Sequence, residues 1–239
     1  ARRHESVTSA YEKVAANYEF MISKGWLTPE ARDESLARIS GSVDIEILKD
    51  SDFVIEAASE SMATKKELFR QLDEMCRPEV ILATNTSSLS ITEIASVTKR
   101  DDKVIGMHFF NPAAVMKLVE MIPGYNTSQE TIDFAIDMAK RLDKVPIVVT
   151  EAPGFVVNRM LVPMMNEAVS IYAEGLAKAE DIDMAMKLGA NHPMGPLALA
   201  DLVGLDIVLS IMDVLYEEFR EPKYRAHSLL RKMVRAGKL

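Results

Sequence analysis

The residues best placed to do chemistry lie at positions 103–123, KVIGMHFFNPAAVMKLVEMIP, where a histidine and a glutamate interrupt runs of hydrocarbon. Val104, Ile105, Met107 and Phe109 predict a short strand that delivers His108, and residues 115–122 predict a second strand that carries Glu120. In the second run Met116, Leu118, Glu120 and Ile122 alternate with the other face at the strand period, so a carboxylate falls in an otherwise apolar row. A buried carboxylate without a partner is costly, and an imidazole on the neighbouring strand is the nearest candidate. A histidine at a strand end is more often structural than catalytic, but the other three histidines differ from this one. His4, His192 and His227 lie in polar or loop-like surroundings with no acidic partner on an apolar strand. A His–Glu couple fixes the imidazole tautomer and stabilises the imidazolium that forms when the ring takes a proton, as a general base near neutral pH requires.

The elements that must position this pair follow a repeating pattern. The first 40 residues read as helix, with a second helix started by Thr28-Pro29-Glu30. Strands are then expected at 52–58, 80–84, 104–108, 115–122 and 145–150, and helices at 62–75, 90–97 and 127–142. Ser90 with Glu93, and Thr127 with Glu130, have capping-box spacing. This alternation predicts an α/β fold with an open, mostly parallel sheet covered on both faces. Polar clusters follow the strands: Ser59-Glu60-Ser61, then Asn85-Thr86-Ser87-Ser88, then His108 with Asn111. Ligands of such sheets bind beyond the carboxyl ends of the strands, so these clusters should converge, with Ser88 and Ser90 read as turn and cap residues.

At Pro153-Gly154 the character changes. From residue 155 onward only helical segments are expected, at 155–177, 180–188, 196–203, 205–219 and 223–236, with a bend at Pro163 and a turn at Asn191-His192-Pro193-Met194-Gly195-Pro196. The division reads as a sheet domain over 1–150 and an all-helical domain over 151–239. Val203, Leu205, Ile207, Val208, Leu209, Ile211 and Met212 surround their helix more fully than one core face needs, which predicts a homodimer through the helical domain.

Composition narrows the function classes. With 28 basic against 36 acidic residues and a net charge of −8, and no basic stripe, neither nucleic acid nor an anionic membrane is expected as a partner. The lone Cys76 cannot form an internal disulfide, no signal peptide is read, and Asp201 and Asp206 break the most apolar run, so a cytoplasmic protein is expected. No metal ligand set is assigned. Met116, Met160, Met164 and Met165 are read as core filler before pocket lining.

Four stretches, NTSSLSI (85–91), GMHFFNPAAVMKLVEMI (106–122), APGFVVNRML (152–161) and AMKLGANHPMGPLALADLVGLD (185–206), closely resemble the 3-hydroxyacyl-CoA dehydrogenases, the bacterial 3-hydroxybutyryl-CoA enzymes most of all. The resemblance runs from the first helix to the last. It implies a Rossmann-type sheet followed by the helical domain, and interconversion of an (S)-3-hydroxyacyl-CoA and its 3-ketone with NAD or NADP. By the same resemblance the general base falls on His108, its carboxylate partner on Glu120, the serine that contacts the substrate oxygen on Ser87, and an asparagine near the reacting group on Asn158. Positions near the cofactor fall on Glu60, Lys65, Asn85 and Asn111.

The chain also departs from the family, which begins with a strand, a Gly-rich turn, a helix and a second strand ending in a ribose-binding acid. No G-x-G-x-x-G occurs here, and Ala1-Arg2-Arg3 stands about where that second strand should end. A fragment or incompletely recorded chain is therefore expected, with bared helix faces and an open strand edge, and without the family's short C-terminal tail. If Ala1 occupies the acidic position, Arg2 and Arg3 are placed to receive a 2′-phosphate, favouring NADP over NAD; otherwise they are solvated arginines. Two alternatives stand beside the dehydrogenase: a non-catalytic acyl-CoA-binding or dimerisation module, and an enzyme of the same fold acting on a free hydroxy acid.

Overall fold

The computed structural model describes residues 3–238. Five strands, β1 (Phe53–Glu56), β2 (Ile81–Thr84), β3 (Val104–Phe109), β4 (Leu118–Pro123) and β5 (Val145–Val148), form one sheet in sequence order. All neighbours are parallel except β3 and β4, which run antiparallel with Gly106 opposite Ile122 and His108 opposite Glu120. The helices are α1 (His4–Ser23), α2 (Pro29–Ala37), α3 (Met62–Met75), α4 (Ile91–Ala95), α5 (Gln129–Arg141), α6 (Val157–Ala173), α7 (Ala179–Gly189), α8 (Pro196–Val203), α9 (Leu205–Phe219) and α10 (Ser228–Arg235).

The strands are apolar on both faces because both faces are covered. Val54, Leu82, Val104 and Ile122 pack on one side with Phe69 and Leu72 of α3 and Ile91, Ile94 and Ala95 of α4. Ile81, Ala83, Ile105, Met107, Val119 and Met121 pack on the other with Ala135 and Ala139 of α5. A third cluster, built on Val162, Met165, Val208, Met212, Leu215 and Leu230, joins α6, α9 and α10. Hydroxyl caps set the helix starts: Ser61 Oγ accepts from Thr64 N at 3.4 Å and Ser90 Oγ from Glu93 N at 3.1 Å. Only half of the expected capping box forms at Ser90, because the Glu93 carboxylate is taken by Lys66.

Four sequence expectations shift. The fourth strand begins at Leu118, not at residue 115, because the chain turns at Pro112, whose carbonyl accepts from Val115 N at 2.9 Å and Met116 N at 3.0 Å, leaving both side chains exposed. The cap of α5 is Ser128 in place of Thr127, whose hydroxyl instead donates to Val104 O at 2.6 Å and accepts from Gly124 N at 2.8 Å. Residues 223–236 are not one helix: a single turn at Pro222–Tyr224 precedes α10. Of the four methionines read as core, Met165 is buried, while Met116 and Met160 are exposed. β1 lies at one edge of the sheet, and Val7, Ala10, Tyr11 and Val14 of α1, a helix with no buried residue, line a groove of about 930 Å³ with Val54 and Ile55 of that strand.

Gly106 lets α4 lie directly on the sheet, since a Cβ there would stand 2.8 Å from Ile91 Cδ1 and 3.0 Å from Ile122 Cβ. Gly106→Val should therefore destabilise the fold by about 1–3 kcal/mol through overpacking. The urea midpoint measures it, and an unchanged midpoint would show that α4 is free to move away.

Candidate active site

Even-numbered residues of β1 to β4 face α3 and α4, and along β1 to β3 the apolar residues Val54, Leu82 and Val104 are followed on that face by Glu56, Thr84 and His108. The antiparallel turn into β4 adds Glu120 to the same face, directly across from His108. Polar chemistry is thus confined to one end of one face.

His108 Nδ1 lies 2.8 Å from Glu120 Oε2, with the carboxylate fully buried and the imidazole nearly so. A carboxylate only accepts, so Nδ1 carries the proton and Nε2 is left to exchange one. Phe110 and Phe155 flank the ring with centroids at 4.5 and 5.6 Å. The other oxygen of Glu120 accepts from Val156 N and Val157 N, both at 3.1 Å. These amides open α6, after Gly154 at φ +69° and Phe155 at φ +49° turn the chain back toward the sheet. An anionic group at this N-terminus also meets the positive end of the helix. In the same first turn, Asn158 Nδ2 donates to Ser87 O at 3.2 Å. Asn85, just past β2, bonds to both neighbouring strands: its N–H donates to Glu56 O of β1 at 2.8 Å, and its Oδ1 accepts from Phe109 N of β3 at 2.8 Å.

Beside Ser87 a second carboxylate gathers donors. Glu60 Oε1 accepts from Thr86 Oγ1 at 2.6 Å, Ser87 N at 2.7 Å, Ser87 Oγ at 2.9 Å and Ser88 N at 3.2 Å. Lys65 is fully buried, with Nζ at 3.0 and 2.9 Å from the two oxygens of Glu56 and 3.6 Å from Glu60 Oε2. Thr84 Oγ1 completes Glu56 with a bond of 2.7 Å. Asn111 is exposed where the β3–β4 connection starts. Arg3 is exposed at the start of α1, and Arg2 lies outside the described residues.

The structure therefore brings His108, Glu120, Ser87, Asn158, Asn85 and Glu60 together, and sets Lys65 beneath them. Sequence reasoning missed Glu56, Thr84 and Glu151. Glu56 carries the same signal as Glu120, an acid inside an apolar run. Glu151 accepts from Ser90 Oγ at 2.9 Å and Thr92 N at 2.8 Å, tying the chain between β5 and α6 to the start of α4. Among the described residues no group of three or more His, Cys, Asp or Glu side chains could hold a metal ion.

Comparison with known proteins follows this geometry. The model of the 3-hydroxyacyl-CoA dehydrogenase NAD binding domain matches residues 1–152, and that of the 3-hydroxyacyl-CoA dehydrogenase C-terminal domain matches residues 154–239. The chain belongs to the 3-hydroxyacyl-CoA dehydrogenase family. It is 60% identical over 223 residues to a 3-hydroxybutyryl-CoA dehydrogenase of Clostridioides difficile, covering 93% of this chain and 79% of that one. It is 54% identical over 214 residues to a probable 3-hydroxybutyryl-CoA dehydrogenase of Bacillus subtilis, covering 90% and 75%. The crystal structure of (S)-3-hydroxybutyryl-CoA dehydrogenase from Ralstonia eutropha superposes with a TM-score of 0.94 at 50% identity, covering 99% of this chain and 83% of that one. Among the described residues no helix is long and apolar enough to cross a membrane.

Burial alone would raise the pKa of Glu60, but the bonds from Thr86 and the Ser87 amide, the charge of Lys65 and the Ser87 hydroxyl outweigh it and hold the carboxyl below the usual carboxylate range. The stability this bonding contributes is complete above the ordinary carboxyl pKa and is lost as pH falls through the lower folded value. Carboxyl carbon NMR should show Glu60 titrating below an unperturbed glutamate, and closer to it in Ser87→Ala; a value above the ordinary one would contradict the bonding described.

Proposed function

We propose that His108, Glu120, Ser87 and Asn158 form the reacting centre of an NAD-dependent 3-hydroxyacyl-CoA dehydrogenase that interconverts (S)-3-hydroxybutyryl-CoA and acetoacetyl-CoA. The observation that supports this most is the His108–Glu120 couple, in which Glu120 holds Nδ1 and leaves Nε2 to exchange a proton, in a chain of this family whose Asn158 donates to Ser87 O. In oxidation His108 Nε2 takes the proton of the 3-hydroxyl as a hydride leaves C3, and the C–O bond becomes a carbonyl. In reduction the imidazolium returns that proton to the alkoxide oxygen. Glu120 keeps Nδ1 protonated and stabilises the imidazolium. Ser87 and Asn158 hold the substrate oxygen so that proton and hydride leave together.

The donors at the strand ends suit the nicotinamide end of a dinucleotide: the Glu60 carboxylate can accept from ribose hydroxyls, and the exposed Asn111 can bond a carboxamide. When bound, the nicotinamide accepts the hydride in oxidation and supplies it in reduction. The sequence holds no Gly-rich turn for the pyrophosphate, so this fit is confined to the nicotinamide end. NAD is the dinucleotide of the matching domain model, which leaves the expectation of NADP from Arg2 and Arg3 without support. The relatives named above are dehydrogenases acting on a CoA thioester, and they lend nothing to the binding-module or free-acid alternatives.

The finer organisation is also proposed. Residues 1–150 would serve the dinucleotide, and residues 151–239 the substrate and a second copy of the chain, in the cytoplasm. Exposed Leu202 and Ile207, at the junction of α8 and α9, support the dimer.

Acetoacetyl-CoA-dependent oxidation of NADH tests the reaction. His108→Ala should lower kcat by roughly 10²- to 10⁴-fold, as loss of a general acid does, and a loss below about tenfold would remove His108 from the chemistry. Light scattering should give twice the mass of the chain; a monomer would remove the dimer.

A further inference from the structure

Lys65 and Glu60 stand as cofactor-side residues by resemblance, yet one of them has no free surface and the other is occupied by the substrate-side loop. Lys65 is fully buried, and both of its short contacts are to Glu56. Glu56 is itself completed by Thr84 Oγ1 and the Ala58 amide, so the lysine is a fixed charge in a closed network. The one further group that faces it is Glu60 Oε2, at 3.6 Å. With that oxygen directed at Lys65, Oε1 is aimed at the turn 86–88, where it accepts from Ser87 N at 2.7 Å and Ser88 N at 3.2 Å as well as from the Ser87 hydroxyl.

The two amides and the hydroxyl have different consequences. A hydroxyl proton rotates freely about its C–O bond, so Ser87 can turn its proton from Glu60 to a substrate oxygen. The amides cannot turn away without moving the backbone. They hold the turn in place while the hydroxyl is engaged elsewhere, and Asn158 holds the same residue by donating to Ser87 O at 3.2 Å.

We infer that Glu60 and Lys65 are positioning residues for Ser87: the buried ammonium orients the Glu60 carboxylate, and the carboxylate fixes the Ser87-Ser88 backbone so that the serine hydroxyl meets the substrate oxygen beside His108. This rests on the dehydrogenase reading given above. It assigns the pair an effect on the chemical step that a contact to the cofactor's ribose alone would not produce.

The test is a double-mutant cycle with NADH and acetoacetyl-CoA, read together with amide exchange in the unliganded protein. A misplaced hydroxyl should cost Glu60→Ala about 10- to 100-fold in kcat, over and above any rise in the KM for NADH from a lost ribose contact. In the Ser87→Ala background the same substitution should cost about twofold or less, because Glu60 acts through that serine. Hydrogen exchange at the Ser87 and Ser88 amides should quicken by about tenfold or more in Glu60→Ala, and Glu60→Gln, which keeps an acceptor, should restore most of the protection. Losses that multiply, or a change confined to the KM for NADH, would overturn the inference and return Glu60 to the cofactor. Unchanged amide exchange would overturn it whether or not the protein turns over. A wild-type chain with no turnover but with Glu60-dependent amide protection would strike down the dehydrogenase reading and leave the anchoring intact.

Discussion

The geometry of the candidate site depends on one buried carboxylate. Glu120 has no exposed surface, and its two oxygens serve three donors, His108 Nδ1 on one side and Val156 N and Val157 N on the other. A lone charge at this depth would cost several kcal/mol, and removing one member of a satisfied buried set typically costs about 3–5 kcal/mol. Here the set joins two parts of the chain. Through Nδ1 the carboxylate decides which imidazole nitrogen is free for chemistry. Through the two amides it fixes where α6 begins, and therefore where Asn158 reaches Ser87.

The sheet makes that arrangement available. Had β4 run parallel to β3, its residues would pair at a different register with the opposite polarity, and the acid would not face the histidine. The single antiparallel pairing places Glu120 across from His108 while the carboxyl ends of β1 and β2 supply Glu56, Thr84 and the turn after Asn85. Gly106 leaves room for Ile91 of α4 to pack directly on the sheet below the polar end. Each carboxylate in this region has its donors: Glu56 has Lys65 and Thr84, Glu60 has the serine turn, Glu120 has histidine and helix.

The sequence made the central pair legible because an acid in an apolar strand is a local anomaly, and its partner lay twelve residues away on the adjacent strand. The helices expected at 62–75, 196–203 and 205–219 are α3, α8 and α9. What stayed hidden depends on contacts between distant elements. Glu56 has the same anomaly as Glu120, but its partners lie nine and twenty-eight residues away on a helix and another strand, where spacing carries no signal. Thr127 and Ser128 are equally competent as caps, and only the pull of Val104 O on the threonine decides between them. The left-handed turn at Gly154 and Phe155, which delivers two amides to Glu120, has no periodic trace beyond the Pro-Gly that marks the change of character.

The most direct measurement of this account is the tautomer of His108, read from long-range proton–nitrogen NMR of the imidazole through its titration. Nδ1 should stay protonated throughout, held by Glu120, and Nε2 alone should gain and lose a proton. A neutral ring carrying its proton on Nε2, with Nδ1 bare, would mean that Glu120 does not accept from the histidine and that the centre described here is assembled differently.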